Sequence, residues 1–383
     1  MSVSLKIIKL LKLMSNITNK IDFANLPMAY EEHKVEIDNA IKGVLQNANY
    51  IMGEPVKEFE EKLQRFTGAK YAISCSSGTD ALLLALMAMD IQPGDEVLTT
   101  PFTFIATAET IAFLKAKPVF VDIEESTYNI DPSKIEEKIT ARTKAIIPVS
   151  IFGQVPDMDF INEIAIRHDL FVIEDAAQSF GATYKGKRSC NLSTFACTSF
   201  FPAKPLGCFG DGGAVFTSEP EFATKMKSLR LHGQMERYHH KYIGMGGRLD
   251  TLQAAILNVK LDSYEQDISN RQRVAQKYTS FLKEAVIIPT VNPESTSVWA
   301  QYSIRVKNRT ETVEKLKRNG IPTAIHYPKA LHQQECFEYL DYKEGDFPVT
   351  EKVTREILSL PMNPYLTTKE IEFITNQLKT AIQ

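Results

Sequence analysis

Apolar and polar positions follow two rhythms along this chain. Between residues 34 and 67 the period is helical, broken by a Gly53-Glu-Pro turn and resumed over 56–66. From residue 71 onward, short apolar runs take turns with helical stretches. The runs over 71–74, 96–100, 118–122, 144–150 and 170–175 predict short strands buried on both faces. Helices are expected between them over 80–89, 106–114 and 158–168. Such alternation builds an α/β fold around a largely parallel sheet covered on both faces. Ligands of such sheets gather at the carboxyl ends of the strands. Ser77–Thr79, Asp175 and Ser199 are expected there.

Two long helical stretches, 249–261 and 270–284, precede a change of character. Residues 298–306 alternate like an antiparallel strand. A helix over 312–319, a strand over 323–326 and helices over 350–358 and 368–381 complete the pattern. A smaller α+β domain over 265–383 is therefore expected to pack tightly on a large one over 21–264. Residues 1–20 stand apart. Their opening, MSVSLKIIKLLKLM, is basic and apolar, too short to span a bilayer and without a small-residue cleavage site. They are expected to form a disordered extension, with Met14 as an alternative start.

Composition changes this picture little. A chain of 383 residues suits two domains, and 44% apolar with 24% charged residues is ordinary for a globular protein. A net charge of −3 points away from nucleic acid and anionic membranes. The five cysteines (Cys75, Cys190, Cys197, Cys208, Cys336) are scattered, without a Cys-x-x-Cys pair. They support neither a disulfide framework nor a zinc site, and fit a reducing cytoplasm.

Candidate chemistry centres on the stretch from Ser199 to Gly213. Lys204 is its only ionisable nitrogen, set among Phe200, Phe201, Pro202, Pro205 and Leu206. Burial in such company favours the neutral amine, the form that makes a Schiff base with an aldehyde such as pyridoxal phosphate. A surface lysine on a glycine-rich turn fits the stretch equally well. Ser77-Gly78-Thr79 sits between a strand and a helix, where backbone amides and the helix dipole would hold a phosphate; a plain N-cap has the same appearance. Asp175 ends an apolar run and is followed by Gln178. A carboxylate there would pair with a protonated pyridine nitrogen, or cap a helix. Gly181–Lys187 imitates the start of a P-loop, but Arg188 stands where Ser or Thr should hold magnesium, so it reads as a turn between strands. His239-His240 lacks metal-ligand spacing, and no metal site is expected.

Taken in order, the phosphate loop, the aromatic segment Thr99-Thr-Pro-Phe102-Thr-Phe104, Asp175 with Gln178, and Lys204 closely resemble the DegT/DnrJ/StrS family. These are pyridoxal phosphate-dependent nucleotide-sugar aminotransferases of fold type I. The resemblance runs from about residue 21 to the C-terminus. It is strongest toward members acting on UDP-2-acetamido-2-deoxy-3-oxo-D-glucuronate in O-antigen and capsule biosynthesis, through IEDAAQSFGATYKGKRSCNLST, ACTSFFPAKPLGCFGDGGA, RLDTLQAAIL, PTAIHYP and LSLPMNPYL.

The resemblance implies a mainly parallel seven-stranded sheet flanked by helices, a smaller C-terminal α+β domain, and a cytoplasmic homodimer with shared active sites. It implies Lys204 as the Schiff-base lysine, Asp175 as partner of the pyridine nitrogen, Gln178 on the ring hydroxyl and Phe102 on the ring face. Gly78, Thr79 and Ser199 would hold the phosphate. Arg248, His326 and Tyr327 would meet a UDP-linked keto sugar, aminated at L-glutamate's expense. Read without the family, Arg248 is a helix-start cation and His326 a satisfied strand histidine. Two other readings remain: a C3- or C4-aminotransferase for a 6-deoxy keto sugar linked to UDP or dTDP, and a non-catalytic pyridoxal phosphate-binding regulator. The family's dehydratases carry histidine at the lysine position, so Lys204 argues against that chemistry. One departure stands out. An asparagine that reaches the neighbouring subunit's cofactor phosphate is common two residues before the arginine; here that residue is Gly246, and a backbone amide or water is expected to substitute.

Overall fold

The computed structural model describes residues 21–383; the expectation for residues 1–20 lies outside the described residues. Seven strands form the central sheet: β1 (Tyr71–Cys75), β2 (Glu96–Thr99), β3 (Lys117–Phe120), β4 (Thr143–Ile146), β5 (Phe171–Asp175), β6 (Phe195–Ser199) and β7 (Gly213–Thr217). Their order is β1-β7-β6-β5-β4-β2-β3. β7 alone runs antiparallel to its neighbours β1 and β6; the β2–β3, β2–β4, β4–β5 and β5–β6 pairs are parallel. Every residue of β2, β7 and all but one of β6 is buried. That is why the runs read as continuously apolar instead of alternating.

Helices cover both faces. On one side α1 (Gly78–Ala88) is apolar nearly all round and buries Leu82, Leu84 and Leu86 against the sheet. Each such leucine contributes roughly 1.5–3 kcal/mol by leaving water. On the other side Phe59, Leu63, Phe180, Phe200, Phe216 and Leu257 form a second cluster. The long helix Tyr264–Leu282 bridges two cores. Tyr264 belongs to that second cluster, whereas Val274, Tyr278 and Leu282 join a third with Tyr302, Leu358, Leu360 and Leu378. Arg305, buried, ties the C-terminal part to the sheet part by an ion pair to Glu125 at 2.8 Å, and is itself held by Glu356 at 2.6 Å. Asp122 does likewise, accepting from the Val349 and Thr350 amides at 3.1 and 3.0 Å.

Two expectations are corrected in this region. The helix predicted over 350–358 ends at Glu356, and Ile357–Leu360 is a strand paired antiparallel with Tyr302–Arg305. Residues 323–326 form no strand, and Ala324 makes only an isolated bridge to Ser359. Pro322 and Pro328 flank the segment and lack the amides a ladder needs. The turn expected at Gly181–Lys187 is present, as the hairpin of Thr183–Tyr184 and Lys187–Arg188 with Lys185 and Gly186 at positive φ.

Candidate active site

The carboxyl ends of β1, β5 and β6 reach one edge of the sheet. Cys75 and Ser199 both lie opposite Gly213 on β7, and Asp175 pairs with Cys197, two residues before Ser199. Ser77 caps α1 by accepting from the Asp80 amide at 3.0 Å, and its carbonyl takes the Ala81 amide at 3.0 Å. The first amides of the helix, at Gly78 and Thr79, point out of its end. Gly78 faces β6 so closely that an added Cβ would stand 2.7 Å from the Ser199 Cβ. Only glycine lets the helix end approach Ser199, and together they form a shallow anion cradle.

Asp175 and Glu174 divide the roles of two adjacent carboxylates. Successive side chains of a strand point to opposite faces. Glu174 faces the covered side, where Ser189 at 2.6 Å, Ser150 at 3.0 Å and the Cys190 amide at 2.8 Å donate to it. Asp175 accepts from Thr107 at 2.7 Å and from the Ala177 amide at 3.2 Å. Burial pushes its carboxyl above the usual range, against those donors and the charge of Lys204. A buried carboxylate so placed gains most from a cation in front of it. Burial around the Lys204 amine pushes it below the ordinary lysine range, with Asp175 pulling the other way. The direction is the one the sequence argument expects, and its cause is burial.

Gln178 spends its carbonyl oxygen on the Phe152 amide at 2.7 Å, which turns its amide nitrogen toward the Tyr327 hydroxyl at 3.2 Å. Tyr327 sits with its ring near Phe102 and Phe104, at 6.5 and 6.3 Å between centroids. Phe102 is 1% exposed and packs edge-on to Phe152. His326 bonds Ser359 through Nδ1 at 2.9 Å. Burial, aided by the charge of Lys204, pushes its pKa down to about 4. It is a neutral donor–acceptor at pH 7.

This depression has a sign. Unfolded, the imidazole takes a proton near 6.5; folded, near 4. Stability is therefore lost as pH falls through that window, by roughly 3 kcal/mol. His326→Gln is expected to flatten the dependence, as measured by denaturant midpoints of the cofactor-free chain at pH 7 and 4.5. An unchanged slope would count against the burial argument.

Arg248 lies in the segment whose Gly247 carbonyl accepts the Ser76 amide at 3.1 Å. It is partly exposed, with its Nη2 beside Gly246. A Cβ on Gly246 would meet the His232 ring at 3.1 Å. The room left by the missing asparagine side chain is thus bordered by an exposed imidazole. Thr107 was missed as well, because nothing local marks a threonine 68 residues before the aspartate it serves.

The cradle of Gly78, Thr79 and Ser199 and the carboxylate of Asp175 fit the two ends of pyridoxal phosphate, its phosphate and its ring nitrogen. Comparison with known proteins agrees. The model of the DegT/DnrJ/EryC1/StrS aminotransferase family matches residues 31–379. A UDP-2-acetamido-2-deoxy-3-oxo-D-glucuronate aminotransferase of Pseudomonas aeruginosa is 52% identical over 92% of this chain and 98% of its own length. A pleiotropic regulatory protein of Geobacillus stearothermophilus is 44% identical over 92% and 98%. Among solved structures, S. venezuelae DesV in complex with a ketimine intermediate superposes with a TM-score of 0.93 at 36% identity, covering 96% of this chain and all of that one. Sheet order, site geometry and these likenesses agree: the chain belongs to the DegT/DnrJ/EryC1/StrS aminotransferase family.

Proposed function

We propose that this pyridoxal phosphate-dependent aminotransferase moves the amino group of L-glutamate onto the 3-keto carbon of UDP-2-acetamido-2-deoxy-3-oxo-D-glucuronate, for O-antigen or capsule polysaccharide. The observation that carries the chemistry is Lys204, its amine held below the ordinary range by burial, standing near enough to the buried carboxylate of Asp175 for each charge to act on the other. The sugar assignment is supported by the 52% identical relative and by the guanidinium of Arg248, which has no ion-pair partner among the described residues.

In this reading Gly78, Thr79 and Ser199 hold the cofactor phosphate, Asp175 keeps the ring nitrogen protonated, Gln178 donates to the ring hydroxyl and Phe102 flanks the ring. When bound, pyridoxal phosphate supplies an aldehyde that carries the amino group and a ring that accepts electrons. Lys204, released as a neutral amine, takes the proton from the donor α-carbon and later returns one to the sugar carbon. Thr107 holds the Asp175 carboxylate in place. His326, being neutral, offers hydrogen bonds without repelling Lys204, and Tyr327 lies where a sugar hydroxyl would meet it. Arg248 pairs through its planar fork with the C6 carboxylate, across a cytoplasmic homodimer whose subunits share their sites.

A panel of UDP- and dTDP-linked keto sugars, assayed with glutamate, tests the substrate. Arg248→Ala is expected to lower kcat/KM for the uronate about 100-fold, the worth of a lost charge-assisted pair, while a 6-deoxy sugar changes little. Unchanged uronate turnover would refute the carboxylate role. The likeness to a regulatory protein keeps a binding role in view. Glutamate decides it: an aminotransferase loses its visible band as the cofactor takes the amino group, and a mere binder keeps it.

A further inference from the structure

A second buried amine lies beside the loop that carries Lys204. Lys260 is 9% exposed and sits on α2 (Thr251–Asp262), where its ammonium donates to the carbonyl of Gly207, three residues past Lys204. Two turns earlier on the same helix face, Gln253 accepts the Phe209 amide at 2.8 Å. Elsewhere the loop is largely tied to itself. The Lys204 amide donates to the Phe201 carbonyl at 2.8 Å, and the Cys208 amide to the Phe200 carbonyl at 2.8 Å. Gly207 folds so tightly over this ring that an added Cβ would stand 2.8 Å from the Phe201 carbonyl oxygen. Lys260 and Gln253 are thus the side chains by which one helix fastens the loop.

Burying an ammonium is costly, and an apolar chain of equal length would avoid that cost. Asp267 acts on Lys260 only through space, and burial pushes the amine down to about 8. Pro202–Pro205, Lys260, Asp267 and Arg271 border a cavity of about 20 Å³, room for about one water. The amine contributes two ties to the loop, the hydrogen bond to Gly207 and a position 5.6 Å from the centroid of the Phe209 ring.

We infer that Lys260 is a positioning residue: through the Gly207 carbonyl it sets the height of the loop, and so where the Lys204 amine stands relative to Asp175. This rests on the reading of Lys204 as the cofactor's anchor. Its effect runs through backbone, since the charge that acts on the Lys204 amine is that of Asp175.

The test adds pyridoxal phosphate to cofactor-free wild type, Lys260→Met, Lys260→Gln and Lys260→Arg, traps the adduct with borohydride, and maps it by peptide mass. Wild type is expected to trap at Lys204. Lys260→Met should trap there about tenfold more slowly, with kcat lowered about as much and KM little changed, as misplacement without lost binding requires. Lys260→Arg, which keeps a donor, should recover part of both; if the Met variant fails to fold, Lys260→Gln serves for the weakened bond. Trapping at the wild-type rate in Lys260→Met, or equal losses in the Met and Arg variants, overturns the proposal. Wild-type trapping at another lysine overturns the site reading and this inference with it.

Discussion

Lys204→Ala is expected to remove the visible absorbance of the lysine-bound cofactor and to cut transamination by about 10⁴-fold or more, the combined loss of a nucleophile and a proton carrier. The two losses are separable. The proposed phosphate cradle at Gly78, Thr79 and Ser199 and the carboxylate of Asp175 are untouched, so pyridoxal phosphate should still bind, measured by equilibrium dialysis. A small primary amine added to the variant should restore part of the proton transfer, because the cavity left by the side chain admits it. Full turnover with the band intact would sink the assignment of Lys204. Loss of cofactor binding altogether would instead assign the lysine to the fold of the loop.

That this lysine stands out in the sequence follows from what surrounds it. Burial lowers its pKa, the direction that its apolar chain neighbours Phe200, Pro202 and Leu206 led the sequence argument to expect. Asp175 was legible for a similar reason, as an acid closing an apolar strand. The role of Glu174 was not. Only the sheet separates the two carboxylates, by facing one toward Ser189 and Ser150 and leaving the other at the strand end. Contacts that span long stretches of chain stayed hidden: Thr107 with Asp175, Tyr327 with Gln178, His232 beside Gly246.

The same division runs through the fold. Five of the seven strands of the sheet were readable because burial on both faces makes each an unbroken apolar run; Phe195–Ser199 and Gly213–Thr217 were not. Ile357 and Leu358 were read as helix because Thr350–Glu356 already carried the helical period into them, and the pairing of Ile357–Leu360 with Tyr302–Arg305 is non-local. At Thr323–His326 the composition favours a strand, but flanking prolines remove the amides that would have extended the pairing beyond Ala324.

Asp175→Asn carries the second large effect. The amide is nearly isosteric and can still accept from Thr107, so the loss isolates the negative charge. Without it the ring nitrogen is no longer held protonated, and kcat is expected to fall about 10³-fold, roughly 4 kcal/mol in the barrier. KM for the sugar should move much less. Stability gives an independent reading of the same charge. Burial raises the Asp175 carboxyl above its unfolded value, so its ionisation weakens the cofactor-free fold as pH rises through the unfolded value and on to the folded one. The Asn variant should therefore be at least as stable as wild type at pH 7 without pyridoxal phosphate. With the cofactor the order should reverse, since wild type gains an ion pair that the variant lacks. Thermal midpoints of both proteins, with and without pyridoxal phosphate, measure this crossing. Equal stabilisation by the cofactor in the two would show that Asp175 does not face its cationic nitrogen.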